Sequence, residues 1–216
     1  MVGIFDSGVG GHNSLCELRR LKKKVDIIYL ADYKNAPYGT KTKEELIPIV
    51  SNNIKRLLSL GCERVLIACC TASAMLKYLP KELCDVCTGV IEPTLALIRN
   101  SGVRRASLIA TDRTVSEGAF SSLEEEIKLS EIKAQELVGI VERGEFSSPY
   151  IDELIKKIKK TSPDALILGC THFSHLSDRF RKDIPGVKIF SPANIGAREF
   201  SIGINNLGEG RIEYIQ

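Results

Sequence analysis

The chain has 216 residues, of which 44% are apolar and 26% are charged, and its formal net charge is +3. These values are typical of a globular protein with one large or two small domains, and they exclude a disordered chain, a collagen and a coiled coil. Such a small charge gives no indication of a nucleic-acid or membrane partner. No apolar stretch is long enough to span a bilayer and no leader pattern opens the chain, so we expect a cytoplasmic protein.

Seven cysteines are spread over the chain. Their odd number in a chain of this size favours reduced thiols over a disulfide framework. Cys84 and Cys87 form a single C-x-x-C without a second pair, and only three histidines are present. We therefore predict no metal site.

Short apolar runs alternate with longer amphipathic stretches. In chain order the pattern predicts a strand at 2–5, a helix at 13–22, a strand at 25–30, a helix at 43–60, a strand at 65–68, a helix at 71–78, a helix opened by Pro93, a strand at 106–110, a helix at 150–160, and strands at 165–168 and 187–190. Thr42 and Glu45 predict a capping box for helix 43–60, within which Pro48 is a potential kink. Alternating strands and helices indicate a parallel α/β fold.

Two segments about 100 residues apart look alike. Residues 65–74 (VLIACCTASA) and 165–174 (ALILGCTHFS) each run from an apolar strand through Cys and Thr into a helix. Two similar halves would explain this likeness, and coincidence between two buried strands is the alternative.

The turn after the first strand, DSGVGG at 6–11, is a candidate ligand site. Asn13 replaces the third glycine of a dinucleotide motif and no Gly-Lys-Ser/Thr follows, which disfavours a nucleotide. Asp6 and Ser7, beside backbone amides at a helix start, suit a ligand that carries a carboxylate. A plain turn capped by one of these two side chains is the alternative.

Two cysteines also follow predicted strands, where ligands of parallel α/β sheets bind. Cys69 and Cys170 each stand at a strand-to-helix junction, where amides favour a thiolate. Thiols on opposite sides of one carbon can remove a proton from one face and return one to the other, which inverts a stereocentre. His172 would assist, and Tyr38 either offers its hydroxyl to a ligand or packs within a turn. Burial as small core residues is the alternative for the cysteines.

The chain resembles the aspartate/glutamate racemase family. The matching segments are IFDSGVGG (4–11), ADYKNAPYGTKT (31–42), VLIACCTASA (65–74), VIEP (90–93), TDRT (111–114), LVGIVERG (137–144) and LILGCTHF (166–173). They cover most of residues 2–193 in the family's order, and the combination of DSGVGG, PYG and GCTH is highly specific.

This resemblance implies cofactor-independent racemisation of glutamate by Cys69 and Cys170, which supplies D-glutamate for peptidoglycan. Asp6 and His172 are expected to assist the thiols, and Glu142 to support the histidine. The positions that match the family's substrate-binding residues are Asp6, Ser7, Pro37, Tyr38, Gly39, Cys69, Cys70, Thr71, Thr114, Cys170, Thr171 and His172. No cofactor is implied, and a homodimer is compatible with the family.

The family's fold implies two similar parallel-sheet α/β domains with the active site in the cleft between them. We expect residues 1–92 with 194–216 in the first domain and residues 93–193 in the second. Three departures bear on function: Cys70 replaces the family's Asn, Ser174 and His175 replace Pro and Leu, and the chain stops at Gln216, before the family's usual last elements. A racemase of aspartate or another amino acid, and a non-catalytic amino-acid-binding or regulatory protein, therefore stay as alternatives.

Overall fold

The alternating pattern folds into two parallel β-sheets in this computed structural model, which describes residues 1–204 and 208–216. The strands are β1 (Val2–Asp6), β2 (Ile27–Ala31), β3 (Arg64–Ile67), β4 (Cys87–Gly89), β5 (Arg105–Ala110), β6 (Lys128–Lys133), β7 (Ala165–Gly169), β8 (Lys188–Phe190) and β9 (Ile212–Ile215). The α-helices are α1 (His12–Leu21), α2 (Lys43–Ser59), α3 (Cys70–Ser73), α4 (Lys81–Cys84), α5 (Ile91–Arg99), α6 (Asp112–Ser116), α7 (Glu136–Glu142), α8 (Pro149–Lys160), α9 (Ser177–Asp183) and α10 (Pro192–Ile202).

Both sheets have the same topology. The first has the order β4-β3-β1-β2-β9 and the second the order β6-β5-β7-β8, with parallel pairing throughout. When the strands of each half are numbered in chain order, both sheets have the order 2-1-3-4. In the first sheet β9 adds a fifth strand next to β2. The predicted fold class, two similar parallel-sheet halves, is confirmed. β3 and β7 are equivalent third strands, so the likeness of 65–74 and 165–174 reflects a repeated fold.

The middle strands form the core of each half. β1, β2 and β7 are buried along their whole length, which explains their uninterrupted apolar runs. The predicted domain boundaries at 92/93 and 193/194 fall inside α5 and α10, two helices that contact each other, and they stay a prediction. Within residues 1–204 and 208–216, no helix combines the length and the apolar character needed to cross a membrane.

The predicted single helix at 71–78 is wrong. The chain forms only one turn, α3, and then a short 3-10 helix at Leu76–Tyr78. The Ser73 hydroxyl donates to the Ile67 carbonyl (2.8 Å) and accepts from the Val90 amide (3.1 Å). Serine side chains that bond to backbone groups in this way compete with helical hydrogen bonds, and the helix ends at this residue.

The predicted capping box of α2 is present. The Thr42 hydroxyl accepts from the Glu45 amide at 3.2 Å, and the Glu45 carboxylate accepts from the Thr42 amide at 2.7 Å. We expect Thr42→Ala to lower the free energy of unfolding by about 1 kcal/mol, because the Glu45 amide in the first turn loses its partner. Urea denaturation measures this, with Lys55→Ala, at an exposed position in the same helix, as the control. Equal stability of the two variants would contradict the prediction.

Candidate active site

The two predicted catalytic thiols lie in one cavity between the halves. Cys69 follows β3 and Cys170 follows β7, so the repeated topology brings them to the facing carboxyl ends of the two sheets. The residues that line this cavity are Ser7, Ala36, Pro37, Tyr38, Gly39, Cys69, Thr71, Thr111, Gln135, Val138, Glu142, Cys170 and His172. Its volume is about 20 Å³, which holds no more than about one water molecule, so an amino acid enters only if the halves or their loops move apart.

Cys69 lies beside the turn that follows β1. The Ser7 hydroxyl donates to its sulfur at 3.6 Å. The neighbouring Asp6 carboxylate is fully buried and accepts from the Gly8 amide (2.9 Å) and from the Thr171 hydroxyl (3.3 Å). Because Thr171 belongs to the segment after β7, Asp6 joins the two halves directly behind the thiols. Burial raises the pKa of Asp6.

Cys170 lies beside a histidine and a carboxylate. The His172 Nδ1 atom is 3.6 Å from the Cys170 sulfur, and its Nε2 atom is 3.2 Å from Glu142 Oε1. The approach of Glu142 falls outside hydrogen-bond geometry, which leaves the buried Nε2 atom without a hydrogen-bond partner among the described residues. The Glu142 side chain is about half exposed. Cys170, His172 and Glu142 therefore form a row that leads from the buried thiol towards solvent.

Both thiols favour the protonated form in the cleft. Burial raises the pKa of Cys69 to about 11, the Asp6 charge adds to this, and nearby amides with the Ser7 hydroxyl oppose it. Burial also raises the pKa of Cys170, and a thiolate at Cys69 raises it further. The expected lowering of the thiol pKa at a helix start is thus wrong here, since α3 is a single turn and burial outweighs its amides. The mutual effect favours one thiolate beside one thiol, the pair that a two-base reaction uses.

Three threonine hydroxyls meet where the halves join. The Thr71 hydroxyl is 3.0 Å from that of Thr111 and 3.1 Å from that of Thr114, and the last two are 2.8 Å apart. Thr71 and Thr111 line the cavity, whereas Thr114 lies behind them. Thr111 was not predicted from the sequence, although it directly follows β5 and so occupies the position in its half that the DSGVGG turn occupies after β1.

The Tyr38 hydroxyl is held by hydrogen bonds to protein groups. It donates to the buried Asp32 carboxylate at 2.5 Å and accepts from the Asn53 amide at 3.2 Å. Of the two interpretations given above, the packed tyrosine in a turn is the one that the structure shows. Pro37, Tyr38 and Gly39 nevertheless all line the cavity, so this loop contributes its backbone and the tyrosine ring.

Four of the predicted substrate-binding residues lie behind the cavity wall: Asp6, Cys70, Thr114 and Thr171. Cys70 packs in the core with Leu66 and Ala68. Four lining residues were missed by the sequence analysis: Ala36, Thr111, Gln135 and Val138. Ala36 and Val138 belong to the segments that carry the family resemblance, which was the available signal, whereas Gln135 falls just outside them.

With a thiolate as the attacking base, we expect activity to rise with pH between about 7 and 9, because burial keeps the thiols protonated. Because the pKa of Cys69 is raised to about 11, its thiolate fraction increases with pH throughout this range. We therefore expect log kcat/KM, which reports on the free enzyme, to have a positive slope in this range. Initial rates at subsaturating substrate measure the slope. A flat profile would show that the thiolate is already formed at neutral pH.

Two thiols that line one cavity at the junction of two equivalent α/β halves are the arrangement that acid–base chemistry on both faces of one carbon atom needs. Residues 15–200 match the family model described as Asp/Glu/Hydantoin racemase. The chain belongs to this family and is an amino-acid racemase.

Curated relatives extend this result. The glutamate racemase of Leptospira borgpetersenii is 32% identical over an alignment of 198 residues that covers 88% of this chain and 76% of that protein. The glutamate racemase of Aquifex aeolicus is 31% identical over an alignment that covers 98% of this chain and 86% of the relative.

Solved structures agree with these relatives. The glutamate racemase of Thermus thermophilus, in complex with β-chloro-D-alanine, superposes with a TM-score of 0.84 at 31% identity, over 99% of this chain and 86% of that one. The aspartate racemase of Picrophilus torridus shares the fold, with a TM-score of 0.69 at 19% identity over 92% of this chain and 91% of that one.

Proposed function

We propose that the protein interconverts L- and D-glutamate by proton transfer between two thiols, without a cofactor. The observation that carries this proposal is that Cys69 and Cys170 come from opposite halves and line the same cavity, each with its own polar neighbour. The glutamate racemases among the relatives support the choice of substrate.

Each direction of the reaction uses both cysteines in different roles. One thiolate removes the α-proton, and the resulting carbanion takes a proton from the other thiol on the opposite face. The first cysteine is then a thiol and the second a thiolate, so the pair is ready for the reverse reaction. Ser7 and Asp6 lie beside Cys69, whereas His172 lies beside Cys170 and the half-exposed Glu142 carboxylate lies on the far side of the His172 ring.

Several parts of the proposal go beyond this chemistry. The product would supply D-glutamate for peptidoglycan in the cytoplasm, and the active assembly would be a homodimer.

Within residues 1–204 and 208–216, no group of three or more His, Cys, Asp or Glu side chains is arranged to hold a metal ion. Full activity after dialysis against a chelator and treatment with a carbonyl reagent would support the cofactor-free scheme, and sedimentation velocity would test the dimer.

The decisive experiment is circular dichroism of purified protein incubated separately with L-glutamate, D-glutamate and L-aspartate. We expect both glutamate enantiomers to reach the same racemic end point, with a Cys69→Ser/Cys170→Ser double variant as the inactive control. Binding of glutamate without any change in optical activity would favour the non-catalytic alternative. Turnover of aspartate but not of glutamate would overturn the choice of substrate. This choice needs a test because Cys70 replaces the asparagine of the family.

A further inference from the structure

We propose that Gln135 is a substrate-binding residue whose side-chain amide contacts the distal carboxylate of glutamate. This inference rests on the proposed function and deepens it. Gln135 lies just past the end of β6 and occupies the N-cap position of α7, where its side chain makes no capping hydrogen bond. It lines the same cavity as Cys69 and Cys170.

The side-chain amide oxygen of Gln135 has no protein partner in the cleft. This Oε1 atom is buried without a hydrogen-bond partner among the described residues. A buried amide group is normally hydrogen-bonded. The side chain packs across the cleft against Gly39, where an added Cβ atom would lie 2.9 Å from Gln135 Cδ. An unsatisfied amide held in this position indicates a group that the ligand supplies.

The strand order places this amide at the distal end of the substrate. The thiols follow the third strands, β3 and β7, whereas Gly39 and Gln135 follow the second strands, β2 and β6. The first strand of each half lies between them, so the two ends of the cleft are about 10 Å apart. Residues that follow the fourth strands, such as Val90 and Ser191, are absent from the described cavity lining. A substrate with its Cα atom between the thiols therefore extends its side chain towards Gln135.

The composition of the cavity lining supports a neutral hydrogen-bond donor at Gln135. Among the described residues that line it, none is a lysine or an arginine. The substrate's carboxylates must then be held by hydroxyl, backbone and amide N–H groups. A half-turn of the Gln135 amide exchanges its oxygen and its NH₂ group, which presents a donor to the carboxylate.

Steady-state kinetics of Gln135→Ala, Gln135→Glu and the matched control Glu136→Gln test the inference. Glu136 is the exposed neighbour on the same segment. We expect Gln135→Ala to raise KM for glutamate about tenfold with little change in kcat, as for the loss of a hydrogen bond to a charged group. Gln135→Glu should raise KM further, because like charges then face each other. The control should behave as the wild type.

A second readout does not depend on the amount of folded protein. Within each variant, the inhibition constant of L-glutamine is compared with the KM for glutamate, since glutamine lacks the distal charge. Gln135→Glu should shift this ratio in favour of glutamine. Glutamate bound more tightly by Gln135→Glu than by Gln135→Ala would overturn the inference, since residue 135 would then contact the substrate's ammonium group.

The failures of the two proposals can be told apart. An active wild type whose Gln135 variants keep the wild-type KM and ratio overturns this inference alone. A folded wild type that neither binds glutamate in calorimetry nor racemises it overturns the proposed function, and this inference with it.

Discussion

Replacing Cys69 or Cys170 by serine is expected to reduce glutamate racemisation by about 10²–10⁴-fold, because each positioned acid or base contributes on that scale and inversion uses both in either direction. A serine hydroxyl keeps the approximate size of the thiol but does not form an anion at accessible pH. Circular dichroism of each variant measures the loss. The matched control is Cys70→Ser, the same replacement one residue along the chain, in a side chain that packs in the core and not in the cavity lining. We expect this control to stay active.

The two variants should differ in the proton exchange that remains. Each surviving thiol still reaches one face of the substrate, so exchange of the α-proton for deuterium continues from one enantiomer only. We expect Cys69→Ser and Cys170→Ser to show opposite enantiomer preferences when L- and D-glutamate are incubated separately in heavy water. Substantial racemisation in either single variant, or an inactive Cys70→Ser, would refute the assignment of Cys69 and Cys170 as the catalytic pair.

The sequence predicted the buried parts of the fold well because their signals are local. β1, β2, β3, β5, β7 and β8 were each expected within two residues of their observed bounds, since buried parallel strands are continuous apolar runs. β4, β6 and β9 were missed. β6, Lys128–Lys133, is half-exposed and carries charges at the edge of its sheet, while β4 has only three residues. A short or polar edge strand is recognised as a strand by its pairing with the neighbouring strand, and a single sequence does not show that pairing.

The candidate site was predictable where a side chain follows a buried strand. Cys69, Cys170 and Ser7 were found in this way, and the structure brings all three to one cavity. The direction of each side chain was not predictable. Whether the Tyr38 hydroxyl faces a ligand depends on Asp32 and Asn53, and Asn53 comes from a different element.

Electrostatics were predicted with the wrong sign for the thiols. A cysteine at a helix start suggests a stabilised thiolate, but this argument needs a helix of some length and access to solvent. Here α3 has four residues and Cys69 is buried beside the Asp6 carboxylate, so its pKa rises. The burial of the thiols depends on how closely the two halves pack. This packing involves residues that are far apart in the sequence, so a local pattern does not reveal it.

The close contact between the halves also predicts a large effect on catalysis when Gly10, which has no side chain, is replaced by alanine. Gly10 lies in the turn after β1, and an added Cβ atom would stand 2.8 Å from Thr171 Cβ and 2.9 Å from His172 Nδ1. Both neighbours follow Cys170 in the other half. Gly10→Ala therefore has to displace them, which moves His172 away from the thiol and Thr171 away from Asp6.

We expect Gly10→Ala to lower kcat about 100-fold, since a displacement of about 1 Å in a catalytic group can cost this much. Gly8→Ala is the matched control in the same turn, because an added Cβ atom there meets only the Tyr33 ring, at an ordinary 3.6 Å. Circular dichroism of glutamate gives the rates, and thermal unfolding of both variants shows whether the fold is retained. Because neither the Gly10 backbone nor the new methyl group takes part in proton transfer, a folded but slow Gly10→Ala variant would show that the reaction depends on how closely the halves meet. Wild-type kcat in this variant would mean that the cleft is more open in solution than these contacts require.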